Sequence, residues 1–85
     1  MRPYDHSDFT RNGGKFALYR TARVARHVHT ENGADDLVPG EFVGVEFFRV
    51  ARNQLYRRDE PVYTVTKNGR VWGMVYANAL SDFVL

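Results

Sequence analysis

The chain has 85 residues, 44% of them hydrophobic, and a net charge of +2, which fits one domain with a single modest core, near the lower end of self-sufficient size. It contains no cysteine, so neither a disulfide framework nor a thiolate metal site supports the fold, and a reducing, cytoplasmic setting is expected. The net charge is too small to argue for a dedicated nucleic-acid binder. No run approaches the roughly 20 apolar residues that cross a bilayer, so no membrane partner is expected.

Residues 1–15 carry Asp5, His6, Ser7, Asp8, Arg11, Asn12 and Gly13-Gly14, with Tyr4 and Phe9 as the large apolar groups, and read as an irregular N-terminal arm. Residues 16–85 then read as a single β-barrel domain. Phe16 to Thr30 places Phe16, Leu18, Ala22, Val24 and Val28 on even positions and Tyr19, Thr21, Arg23, His27 and His29 on odd ones, an alternation that favours a long strand. A helix over residues 16–30, giving an α+β fold, is the alternative, since Ala17, Leu18, Ala22, Ala25 and Val28 approximate a helical stripe. Glu31 to Gly40 is turn-rich, with Asn32-Gly33 and Pro39-Gly40 as punctuation. Glu41 to Arg52 has apolar groups on both faces and predicts a central strand, with a bend or bulge at Gly44. Asn53 to Glu60 is expected to be a polar loop wrapped around Leu55 or Tyr56. Ala77 to Leu85 predicts a short helical turn and a closing apolar strand.

The strongest local signal is PVYTVTKNGRVWGMVY, Pro61 to Tyr76. Asn68-Gly69 between apolar runs predicts a two-residue type I′ hairpin, because both turn residues need positive φ. Continuing the register pairs Lys67 with Arg70, Val65 with Trp72, Tyr63 with Met74 and Pro61 with Tyr76 on one face. On the other face Thr66 meets Val71, Thr64 meets Gly73 and Val62 meets Val75. Burial of apolar area stabilises by about 25 cal/mol per Å², so the bulky face of Tyr63, Val65, Trp72, Met74 and Tyr76 is expected to fill the core. The alternative exposes that face over a core of Val62, Val71 and Val75.

Three stretches carry a family resemblance: Asp36-Leu37-Val38-Pro39-Gly40-Glu41-Phe42-Val43 before the second strand, Asn68-Gly69-Arg70-Val71-Trp72-Gly73-Met74-Val75 as a late hairpin, and Ala77-Asn78-Ala79-Leu80-Ser81-Asp82-Phe83-Val84 as a turn and last strand. Their order resembles an SH3-like barrel over roughly Ala17 to Leu85. The resemblance is topological and implies an all-β fold, about five antiparallel strands with a C-terminal 3-10 turn. It does not extend to proline-rich peptide binding: Arg20 and Thr21 stand where acidic residues are expected, Val75-Tyr76-Ala77-Asn78 has no proline, and Trp72 has no paired tryptophan.

Ten of the twelve basic residues are arginine, a planar fork suited to carboxylate and phosphate. Arg49, Arg52, Tyr56, Arg57 and Arg58 combine charge, stacking and amphipathic area and form the candidate binding surface. The bland reading pairs these arginines with Asp59, Glu60 and Glu46. Arg20, Arg23 and Arg26 extend an alternative nucleic-acid surface. His27 and His29 share a strand face, but two ligands do not make a zinc site, and His6, Glu31 and Asp35 are the nearest further candidates; no metal or other cofactor is expected. The carboxylate pairs Asp35-Asp36 and Asp59-Glu60 read as solvated turn charges, and Gly13-Gly14-Lys15 lacks the spacing of a phosphate loop. The sequence therefore points to a small non-enzymatic binding module for another protein: an inhibitor, adaptor or accessory subunit of the kind mobile elements often encode. Nucleic acid and a second copy of the chain are the other partner classes.

Overall fold

A computed structural model describes residues 2–30 and 35–85. The elements are α1 (His6–Arg11), a 3-10 turn (Gly13–Ala17), β1 (Thr21–Val24), β2 (Phe42–Asn53), β3 (Arg58–Lys67), β4 (Arg70–Tyr76), a second 3-10 turn (Ala77–Ala79) and β5 (Leu80–Val84). The five strands form one antiparallel sheet in the order β4-β3-β2-β1-β5, so the domain is all-β, as expected. Residues 31–34, including Asn32-Gly33, lie outside the described residues.

The hairpin turn forms as its sequence dictates, with Asn68 at φ 54° and Gly69 at φ 77°. Lys67 faces Arg70 and Thr66 faces Val71, but the next pair is Val65 with Gly73. Trp72 is the extra residue of a bulge, and every later pair slips by one. Tyr63 therefore faces Val75, Thr64 faces Met74, and Val62 faces Tyr76. The single bulky face expected from unbroken alternation does not exist. Because a one-residue slip reverses which side a residue faces, Tyr63, Val65 and Val75 point into the core, while Met74 is 58% exposed.

A second bulge lies in β2, where Phe47 faces Tyr63 and Arg49 faces Val62, leaving Phe48 unopposed. The bulge expected at Gly44 is absent: Gly44 pairs regularly with Thr66 and Thr21. There a Cβ would meet the Thr66 Cβ at 3.5 Å, an ordinary van der Waals contact. Val43 and Val45 alternate inward beside it, and with Ala22, Val24, Leu37, Tyr63, Val65, Val75 and Leu80 they form the core.

The long strand expected over residues 16–30 is reduced to β1, and no helix replaces it. Beyond Val24 the chain leaves the β2 pairing and returns only as an isolated bridge between Val28 and Leu37. The N-terminal arm is more ordered than expected. Asp5 caps α1 by accepting the Ser7 N–H at 3.0 Å, Pro3 bridges to Ser81, and buried Phe16 is ringed by Tyr4, Phe9, Tyr19 and Phe83. The Tyr63 hydroxyl reaches through the core to donate to the Phe16 carbonyl at 2.7 Å. Burial is the main force pushing its pKa upward, which keeps it a neutral donor.

The loop expected over Asn53 to Glu60 is a four-residue turn between Asn53 and Arg58, with the strands continuing on either side. Asn53 accepts the Leu55 N–H at 3.1 Å and Arg57 adopts φ 54°. Neither proposed anchor is buried: Leu55 is 76% exposed and Tyr56 is exposed as well.

Candidate binding surface

The β2–β3 turn brings Arg52, Tyr56, Arg57 and Arg58 to one end of the sheet, and Arg49 lies three residues before Arg52 in β2, on the opposite face of the strand. Arg49, Arg52, Tyr56 and Arg57 are exposed. Arg58 is not part of that surface in the same sense. Its guanidinium donates from Nε to Glu60 at 2.6 Å and lies 5.7 Å from the Tyr4 ring and 5.1 Å from the Tyr56 ring. Glu60 is fully buried and also accepts from the Asn78 side chain at 2.8 Å and the Asn78 N–H at 3.3 Å. Desolvation alone would raise the Glu60 pKa, but the hydrogen bonds from Asn78 and Arg58 and the Arg58 charge outweigh it and hold the carboxyl below its ordinary range. The internal pairing weighed for the cluster thus holds for Arg58 with Glu60.

Next to this end, Phe48, Arg49, Ala51, Val62, Met74, Val75 and Tyr76 line a shallow cleft of about 190 Å³ on the outer face of β2, β3 and β4. Both bulges are needed to build it. The slip after Trp72 turns Met74 outward opposite Thr64, and the extra residue in β2 sets Phe48 on the surface with the Arg49 guanidinium 5.5 Å from its ring. Tyr76 closes one end by donating its hydroxyl to the Arg52 carbonyl at 2.6 Å. Sequence reasoning found Arg49 and Arg52 but missed Phe48 and assigned Met74 to the core. The one available signal was Gly73, whose positive φ of 154° accompanies the bulge.

The alternative arginines divide in the same way. Arg23 donates to the Gly40 carbonyl at 2.9 Å, lies 3.3 Å from an Asp82 oxygen and stacks on Phe42 at 3.9 Å. Arg26 donates to the Asn78 side-chain oxygen at 2.5 Å, while Arg20 is exposed. A second opening, about 310 Å³ between the arm and β5, is lined by charged groups, among them Asp8 paired with Lys15 at 2.5 Å.

The far end of the sheet has different chemistry. Lys67 donates to the Asp36 carbonyl at 2.9 Å and sits 3.1 Å from a Glu41 carboxylate oxygen, and the Trp72 indole N–H donates to the Asp35 carbonyl. The hairpin thereby holds the connection that carries Asp36. His27 Nε2 and His29 Nδ1 lie 2.9 Å and 3.0 Å from the same Asp36 carboxylate oxygen. Asp36, rather than the Asp35 considered from sequence, is the carboxylate that joins the two histidines. The hydrogen bond with His27 is the main influence holding the Asp36 carboxyl below its ordinary pKa.

Among the described residues, no helix is long and apolar enough to cross a membrane. In comparison with known proteins, no family model matches the chain significantly, nor does any curated protein or solved structure.

Proposed function

We propose that the chain is a small, non-enzymatic, SH3-like binding module of the cytoplasm, which takes an acidic segment bearing an aromatic or aliphatic anchor from another protein. The strand order β4-β3-β2-β1-β5, with a 3-10 turn before the last strand, supports the barrel reading, and the absence of cysteine supports the compartment. The observation that carries the function is the apolar cleft with Arg49 in its wall, beside the end of the sheet where Arg52 and Arg57 are also exposed. At about 190 Å³ it falls below the roughly 300–1,000 Å³ usual for small-molecule pockets, yet it admits one large side chain. Arg49, Arg52 and Arg57 outnumber the exposed carboxylates Glu46 and Asp59 at this end of the sheet, so its charge favours an acidic partner.

Selection of displayed random peptides on the purified chain tests this reading. The expected winners carry Asp or Glu around one aromatic or aliphatic anchor and lose binding to the Met74→Glu and Phe48→Ala variants. Winners indifferent to both substitutions would overturn it. Titration with mixed-sequence DNA and RNA at two salt concentrations tests the alternative: tight binding that falls steeply with salt would replace the protein partner with nucleic acid. Pairing of Arg23 with Asp82 and of Arg58 with Glu60 withdraws two arginines from phosphate contacts, which favours the protein reading.

A further inference from the structure

We propose that His27, His29 and Asp36 form a zinc site in which these three donors, among the described residues, leave one coordination position open. The placement follows from backbone pairing. Val28 and Leu37 exchange both hydrogen bonds of an antiparallel bridge, Val28 N–H to Leu37 carbonyl at 3.0 Å and the reverse at 2.9 Å. Leu37 is buried and Val28 packs against the core, so their sequence neighbours emerge on the opposite, solvent side. His29 then stands opposite Asp36, and His27 diagonal to it. An H-x-H pair on extended chain, meeting a carboxylate on the adjoining segment, needs no further folding to assemble.

The donor atoms already converge. The two imidazole nitrogens contact one Asp36 oxygen, the rings stack with centroids 4.4 Å apart, and all three donor atoms lie within 4.8 Å of one another. Zinc bonds of about 2.0–2.2 Å place neighbouring tetrahedral donors roughly 3.4 Å apart, so the 2.9 Å and 3.0 Å separations need to open by only a few tenths of an ångström. The carboxylate is also held from behind. Its second oxygen accepts the Thr30 N–H at 3.3 Å, its own carbonyl accepts from Lys67, and the preceding carbonyl accepts from Trp72. Such outer contacts orient a ligand and strengthen metal binding. Lys67, which contacts the Asp36 carbonyl, is itself balanced by Glu41. The site is open to solvent, with the His29 side chain 79% exposed, which leaves the fourth position to water or to a partner's donor.

Calorimetric titration of the full, tag-free chain with zinc chloride at about pH 7.5 is expected to show saturable uptake of one ion per chain. Binding should weaken as the pH is lowered, because zinc competes with protons for its ligands. Cobalt(II) should give the intense visible absorption of a four-coordinate centre. His27→Ala, His29→Ala and Asp36→Ala should each weaken zinc binding by about 100-fold or more, whereas His6→Ala should leave it unchanged. Both histidines sit on the surface, so circular dichroism of the His27→Ala and His29→Ala variants should match that of the parent chain. Absence of saturable uptake would overturn the site and leave a histidine–aspartate hydrogen-bonded cluster in its place. So would uptake that survives the double His27→Ala, His29→Ala substitution.

Discussion

The two sides of the β3–β4 hairpin are written in the same residue types and do opposite things. On the inner side Tyr63, Val65 and Val75 are buried; on the outer side Met74 and Tyr76 join Phe48 around an open cleft. Composition does not separate the two sets, and strict alternation sorts them wrongly. One extra residue, Trp72, does the sorting by shifting β4 against β3. A bulge therefore acts here as a switch of side: it moves a large apolar residue from core to surface without changing the sequence pattern.

Mutation of each side should expose the contrast. Tyr63→Ala removes a fully buried ring and the hydroxyl that holds the Phe16 carbonyl, and is expected to cost about 3–5 kcal/mol. Met74→Ala on the outer side should stay within about 0.5 kcal/mol. Denaturant melts of the two variants measure the difference, and equal losses would mean that the two residues share the core.

Glu60→Gln gives a smaller effect with a distinctive pH signature. Exchanging a buried carboxylate that accepts from Arg58 and Asn78 should cost about 2 kcal/mol at neutral pH. Because the folded state lowers the Glu60 pKa, its contribution is fully present above the unfolded value of about 4.3 and is lost as pH falls through the folded value. Stability of the parent chain measured against pH should therefore fall more steeply below about pH 4.5 than that of Glu60→Gln. Parallel curves would remove Glu60 from the acid response.

Gly73→Val tests the bulge itself. Valine at φ 154° should cost about 1–2 kcal/mol through backbone strain, and a stabilised variant would show that β4 prefers unbroken alternation.

The legible parts of the fold were those fixed by neighbours in sequence. Asn68-Gly69 specified its own turn because positive φ is a local demand. Glu41 to Arg52 announced a strand through apolar residues on both faces, and Ala77 to Leu85 announced a turn and a last strand. The bulges at Phe48 and Trp72 left no comparable mark, since each extra residue is itself a good strand former. The arm was misread because part of its order comes from contacts distant in sequence, Pro3 with Ser81 and Phe16 with Phe83. The arginine surface was legible as composition, but the loss of Arg58 to Glu60 and of Arg23 to Asp82 depends on tertiary pairing. Asp36 joined the histidines only through the Val28–Leu37 bridge, a contact across the long connection that periodicity does not report.

The most direct measurement is methyl NMR with a soluble paramagnetic relaxation agent, comparing Met74 with Val65 and Val75. Strong relaxation of the Met74 methyl and protection of both valines are expected; a protected Met74 beside exposed Val75 methyls would place Met74 in the core and Val75 outside it.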